Sequence, residues 1–320
     1  MNEPYVIGID VGGTYTEFGI VDRMGKILSR GEKIKTLAYT SGKDYVNALG
    51  NAVNELIAKF DLKDKIKGIG MGVPNGNMNE GVIEKAVNIP WAQERVPLVD
   101  MITEITGLPC KLTNDANAAA LGEMAYGAAK GLKDFIVITL GTGVGSGIVS
   151  NGQLIVGHDG FAGELGHMTV VRENGRVCGC GRTGCLETYT SATGVARTAR
   201  EFLLTQPQRE SVLRKIEHRP ITSLDVYNAA KEGDDLAIEI FNFTGKILGE
   251  AFCDFIAFSS PKMIILFGGL ANSGSFLTDP LEKAINDHIL FVYKGKTKIC
   301  ISKLNDAEAA ILGASALAWE

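Results

Sequence analysis

Several things are scarce in this 320-residue chain, and each scarcity narrows its class. Basic charge is not in excess: 32 Lys and Arg stand against 37 Asp and Glu, a formal net charge of −5. No basic stripe of the kind that reads phosphate backbones is present, so nucleic acid is not the expected partner. No run approaches the roughly 18 apolar residues of a membrane helix, so no membrane is expected. The opening MNEPYVIGID has neither the basic nor the apolar part of a secretory leader, and the expected compartment is the cytoplasm. A disulfide framework is then not expected among the six cysteines. The phosphate-loop pattern is missing as well: GKT occurs at 295–297, but Leu290 stands where its first glycine belongs.

Glycine is abundant, at 39 residues, and lies outside low-complexity tracts, which points to tight turns and close backbone approaches. Residues 5–11, YVIGIDV, read as a buried strand, followed after a Gly-Gly turn by strands in YTEFGIVD and GKILSRG. The same device returns about 130 residues later in FIVITLGTGVGSGIVSNGQLIV, a weak internal repeat that suggests two related α/β domains. Between these lie helical patterns. Ser41 is placed to cap a helix running to about Phe60, with Val46, Leu49, Val53, Leu56, Ile57 and Phe60 on one face. Residues 115–129 and 236–258 read as helices, 66–74, 108–114 and 262–270 as strands, and 306–319 as a closing helix. Cys110, Cys253 and Cys300 sit in apolar contexts and read as packing residues.

GTGVGSG at 141–147 has the letters of a dinucleotide fingerprint, but it connects strand to strand where that fingerprint opens a helix. A Gly- and Thr-rich hairpin can be an ordinary turn or can bind phosphate through open backbone N–H groups. Asp10-Val11-Gly12-Gly13-Thr14, Gly141-Thr142-Gly143 and the strand end Gly268-Gly269 together favour two phosphate hairpins facing across a cleft, with a third turn for a nucleoside. Asp10 is positioned to hold Mg²⁺, directly or through water.

CGCGRTGC at 178–185 packs three cysteines into eight positions, and His167 lies eleven residues before Cys178. One imidazole and three thiolates make a closed tetrahedral zinc set. A reduced, metal-free loop is the alternative, and a redox pair is disfavoured because Cys-x-x-Cys is absent. Asn114-Asp115, at a strand end and helix start, reads equally as a helix cap and as a ligand site.

The stretches IGIDVGGTYTEFGIVD, LGTGVGSGIV and ILFGGLANSG resemble the phosphate-1, phosphate-2 and adenosine motifs of the actin, Hsp70 and sugar-kinase superfamily. GELGHMTV followed by CGCGRTGCLE resembles the ROK family of bacterial sugar kinases, sugar-sensing repressors and open reading frames, and the likeness covers nearly the whole chain. The resemblance implies two actin-like, ribonuclease H-like α/β domains with a cleft between them: 1–117 plus 306–320, and a larger 118–305 carrying the zinc loop. It implies ATP bound at Asp10, Gly12, Gly13, Thr14, Thr142, Gly143, Gly268 and Gly269, with Mg²⁺ at Asp10. It implies structural Zn²⁺ on His167, Cys178, Cys180 and Cys185. Asp115 matches the catalytic aspartate, and Asn114, Glu164, His167 and Glu187 match sugar-binding positions, with Asn88 a further contact. A helix N-terminus favours an ionised carboxylate, so Asp115 is expected to be ionised at neutral pH. One departure is that GVPNGNMNEG (72–81) stands where many family glucokinases carry a Pro-Gly-x-Val-Asp-like stretch.

Family repressors carry a DNA-binding segment ahead of the first hairpin, whereas here the first strand begins by about Tyr5. The expectation is therefore an ATP-dependent hexose kinase, phosphorylating glucose to glucose 6-phosphate. The alternatives are an N-acetylmannosamine or N-acetylglucosamine kinase, and a sugar-sensing binding protein without a DNA-binding domain. A homodimer is implied by the resemblance alone.

Overall fold

A computed structural model describes residues 4–86 and 88–319. The chain runs β1 (Tyr5–Val11), β2 (Tyr15–Asp22), β3 (Ile27–Arg30), β4 (Ile34–Lys35), α1 (Gly42–Lys59), β5 (Ile66–Gly72), β6 (Gly76–Asn77), β7 (Val82–Ile83), α2 (Leu98–Thr106), β8 (Cys110–Thr113) and α3 (Asp115–Tyr126). It continues through β9 (Phe135–Leu140), β10 (Val144–Ser150), β11 (Gln153–Leu154), α4 (Glu187–Thr190), α5 (Ala192–Thr205), α6 (Ser223–Lys231) and α7 (Asp235–Ser259). It closes with β12 (Met263–Phe267), α8 (Ser275–His288), β13 (Lys298–Ile301) and α9 (Asp306–Ala316).

The first sheet has the order β3-β2-β1-β5-β8, with β4 added to β2. Its antiparallel meander is the expected one, and β5 and β8 extend it in parallel with β1. β5 is buried along almost its whole length because both its faces are covered. Ile69 and Met71 join the core of α1 and α2, which includes Val46, Leu49 and Ile102. On the other face a Cβ at Gly70 would run into the carbonyl oxygen of Ala314, so α9 rests on bare backbone. The closing helix thus packs on the first sheet.

Ser41 caps α1 by accepting from the Asp44 N–H, and Tyr45, Val46, Leu49, Val53, Leu56 and Ile57 form its buried face. Phe60 does not belong to that face. It follows the last helical residue and is exposed, with the Lys59 ammonium over its ring.

The second sheet, β11-β10-β9-β12-β13, repeats the plan of a meander followed by parallel strands. α7, capped by Asp234, buries twelve side chains and glycines, including Phe241, Leu248 and Phe252. Cys110, Cys253 and Cys300 are half-buried; the Cys300 thiol lies against the Met263 sulfur at 3.4 Å.

Contacts divide the chain into Met1–Lys133 with Gly147–Gly163 and Lys303–Glu320, and Asp134–Ser146 with Glu164–Ser302. This differs from a boundary at 117 and a return at 306. α3 goes wholly with the first unit because it crosses α9 at two glycines, a Cβ on Gly122 lying only 2.9 Å from the Gly313 Cα. Gly147 follows because it lies over α3, its Cβ position 2.8 Å from the Ala116 carbonyl oxygen. No helix among the described residues is long and apolar enough to cross a membrane.

Candidate active site

In the first unit, strand register assembles the site. β1, β5 and β8 are parallel, and Asp10 pairs with Gly72, which pairs with Thr113. Their carboxyl ends therefore share one edge, where α/β sheets collect ligands. Asp10 stands at the end of β1, and Asn114-Asp115 follows β8. Of the two residues, it is Asn114 that makes the cap of α3, its Oδ1 accepting from the Asn117 N–H at 2.7 Å. Asp115 accepts from the adjacent Ala116 N–H at 2.8 Å, and its own N–H also favours the carboxylate.

Asp115 is open to water, yet protein crowds it closely, and this desolvation raises its carboxyl above the ordinary range. The Ala116 N–H works in the opposite direction and is outweighed. Loss of hydration thus outweighs the helix-terminus field, and Asp115 holds a proton more tightly than an ordinary aspartate. Asp10, half-buried, is pushed up to about 7 by burial first, then by the charges of Asp115 and Glu17. Two crowded carboxylates at one edge are a place where a cation is favoured.

The first hairpin turns between β1 and β2. The Gly12 N–H donates to the Tyr15 carbonyl, and a Cβ at Gly12 would sit 2.7 Å from that oxygen. Gly13 and Thr14 form the outer part of the turn. Asn88 is exposed and near it, 3.8 Å from where a Gly13 Cβ would be. Val87, which begins the VNIPW stretch, lies outside the described residues.

In the second unit, β9 and β10 are joined by Gly141-Thr142-Gly143, strand to strand as the sequence requires. The Gly141 N–H donates to the Gly143 carbonyl at 3.0 Å. The turn is braced from two sides. The Ala192 N–H donates to Gly141 O, and Thr193 Oγ1 donates to Thr142 O at 2.8 Å. Glu187 accepts the Val144 N–H on Oε2 at 2.9 Å, occupying the space a Gly143 Cβ would need. Gly268 follows β12 at φ +102°, a conformation open to glycine, and a Cβ there would lie 2.8 Å from the Leu140 carbonyl oxygen, whereas one on Gly269 would meet open space.

His167, Cys178, Cys180 and Cys185 bring their ligand atoms within 4.8 Å of one another. The Cys180 and Cys185 sulfurs are 3.7 Å apart, and the Cys178 sulfur is 3.7 Å from His167 Nδ1. A tetrahedral zinc with bonds of about 2.3 Å has edges of about 3.8 Å, so the donor set fits. Desolvation pushes the Cys178 thiol up to about 12, a cost that a coordinated cation removes. His167 Nε2 points the other way, 3.9 Å from the exposed Glu164 carboxylate. Glu187 Oε1 lies 3.7 Å from Cys178 Sγ, so one carboxylate touches both the cysteine loop and the glycine hairpin.

Two features escaped the sequence reading. Thr193, whose hydroxyl braces the Gly141–Gly143 turn, and Ser191, which caps α5 and lies 2.9 Å from that hydroxyl, follow Glu187 closely; a Ser-x-Thr start to α5 was the available signal. Asn77, in the departing loop, is buried and committed to backbone. It donates to Asp159 O and accepts from the N–H groups of Asn79 and Glu80. Its side chain is a loop fastener.

The chain resembles proteins of known class over nearly its full length. It is 38% identical to a glucokinase of Halalkalibacterium halodurans, over 91% of this chain and 88% of that protein. It is 34% identical to a glucokinase of Thermotoga maritima, over 98% and 97%. A ROK family glucokinase from Streptomyces griseus, solved with glucose and AMPPNP, superposes with a TM-score of 0.78 at 32% identity, covering 98% of each chain. With two meander-based sheets, each bearing a glycine hairpin, these likenesses define an ATP-dependent sugar kinase of the two-domain, actin-like class. The sequence model of the ROK family matches residues 6–320, and the chain belongs to that family.

Proposed function

We propose that this chain transfers the γ-phosphoryl group of ATP to a hexose, and that the hexose is glucose, giving glucose 6-phosphate. The observation that carries the reading is the division of labour at the start of α3. Asn114 commits its Oδ1 to the cap, while the neighbouring Asp115 carboxylate is water-accessible and has its proton affinity raised by desolvation. A base of raised pKa is better matched to neutral pH than an ordinary aspartate. The sugar hydroxyl oxygen bonds to the γ-phosphorus, the bond to the β–γ bridging oxygen breaks, ADP leaves, and the hydroxyl proton passes to Asp115.

The remaining residues bind and orient. Gly12, Gly13, Thr14, Thr142 and Gly143 offer backbone and hydroxyl donors to phosphate, with Gly268 and Gly269 beside the nucleoside. Asp10 would hold Mg²⁺, which neutralises phosphate charge when bound. Asn88, Asn114, Glu164, His167 and Glu187 bind sugar hydroxyls, a polar set that rejects analogues lacking those groups. His167, Cys178, Cys180 and Cys185 would hold Zn²⁺, whose four protein ligands leave no position for chemistry, so its part is to shape the loop. We read the protein as a cytoplasmic homodimer.

The test is ADP release with Mg-ATP across glucose, mannose, fructose, allose, N-acetylglucosamine and N-acetylmannosamine, with metal analysis of the same sample. Preference for glucose and close to one zinc per chain are expected. Preference for an N-acetylhexosamine would replace the substrate. Silence on every sugar from folded, zinc-loaded protein would overturn turnover in favour of sugar sensing. Full activity without metal would remove zinc.

A further inference from the structure

Arg176 is a cation in an unusual place. It is only 7% exposed, two residues before Cys178, at the base of the hairpin carrying the cysteines. Every polar group it has is engaged. Its N–H donates to Tyr189 Oη, and its carbonyl accepts from Gly184 N. Its guanidinium donates to Thr188 O, Gly194 O, Thr198 Oγ1 and, through two nitrogens, Glu201 Oε2. Its Cζ lies over the Tyr189 ring, 4.5 Å from the centroid. Glu201 also takes Arg197, whose guanidinium reaches Val177 O on the same loop.

A buried cation so fully satisfied is costly to lose and narrow in the geometry it permits. Only the planar fork of arginine makes this set at once; a lysine ammonium offers three donors and no plane. The partners define what it fixes. Thr188 and Tyr189 belong to α4, whose first residue, Glu187, holds the Val144 N–H of the glycine hairpin. Thr198 and Glu201 belong to α5, whose start braces that same turn.

We infer that Arg176 is a positioning residue for phosphoryl transfer: with Glu201 it anchors the cysteine loop to α4 and α5 independently of any metal, and so sets the placement of His167 and Glu187. The loop then has two fasteners, one ionic and internal, the other the Cys3His set. The inference rests on the reading of His167 and Glu187 as sugar contacts.

The experiment uses full-length, zinc-loaded Arg176→Lys and Glu201→Gln, with Arg176→Met as the severe form. Loop order is read by tryptic cleavage after the exposed Arg182, located by mass, and by the rate at which a chelator extracts zinc. Outer contacts to ligand loops typically tune metal retention by about 10–100-fold, so extraction and nicking are expected to quicken by about tenfold in each variant. The KM for the preferred sugar should rise about tenfold with kcat within about threefold, the pattern of lost ground-state binding. If Arg176→Met fails to fold, the Lys and Gln variants carry the test. Wild-type rates of nicking and extraction in both would overturn the inference. Faster nicking with an unchanged sugar KM would leave Arg176 as an anchor of the loop but overturn its role in positioning for phosphoryl transfer; a sugar KM unchanged in Glu187→Gln as well would instead place the failure in the reading of Glu187 as a sugar contact.

Discussion

Replacing Asp115 by Asn removes a charge and a proton acceptor while leaving the local fold its bonds. The amide oxygen can still accept the Ala116 N–H, and the α3 cap belongs to Asn114, so the helix should start unchanged. General bases contribute about 10²–10⁴-fold, so kcat should fall into that range while the KM for sugar moves by only a few-fold. A second effect runs in the opposite direction. Asp115 and Asp10 repel, and both carboxylates are held above their ordinary range. A raised carboxyl pKa means that the folded state binds the proton more tightly than the unfolded chain. Stability is therefore lost as pH climbs from the unfolded value towards the folded one. Above pH 7 the Asn variant escapes that loss. For one water-screened repulsion the gain is on the order of 0.5 kcal/mol, a Tm higher by about 1–2 °C. Steady-state kinetics and thermal melts at pH 5 and pH 8 give both readouts from one preparation. An inactive variant that is also more stable only at pH 8 is the expected outcome. Turnover within about tenfold of the parent would refute the base, and a stability gain equal at both pH values would refute the charge argument.

Two further predictions come from the hairpins. Asp10→Asn should show the same linkage more strongly: its advantage in Tm over the parent is absent near pH 4, grows as pH rises and is complete above about 7, and a pH-independent difference would contradict the account. Gly143→Ala should raise the KM for ATP by about tenfold or more, because its Cβ takes the space of Glu187 Oε2 and breaks the bond to Val144 N–H; titration with ATP checks this, and an unchanged KM would detach the turn from nucleotide binding.

The chain's local grammar was legible. The apolar spacing from Val46 to Ile57 and the Ser41 hydroxyl define α1 because both signals act within a few residues. The two meanders were legible for the same reason, since alternation and glycine turns are short-range. The cysteine set was legible because three of its four ligands lie on one hairpin. Phe60 failed the helical spacing because the helix stopped one residue earlier. The extent of the first unit was not legible: the crossing of Gly122 on Gly313 joins residues nearly two hundred positions apart, and nothing local marks it.

The sequence by itself determined which side chains could do chemistry here: two glycine hairpins, an Asn-Asp helix start, and one imidazole with three thiols. Their spacing in the chain is their spacing in space, so short-range geometry suffices. Only the tertiary structure decided what state and partners those groups have. Asp115 is perturbed by desolvation, which is a sum over spatial neighbours that no motif records. Glu187 is tied to Val144 and Arg176 to Glu201 because folding closes gaps of 43 and 25 residues. Those contacts exist only once the packed core has made them cheaper than hydration.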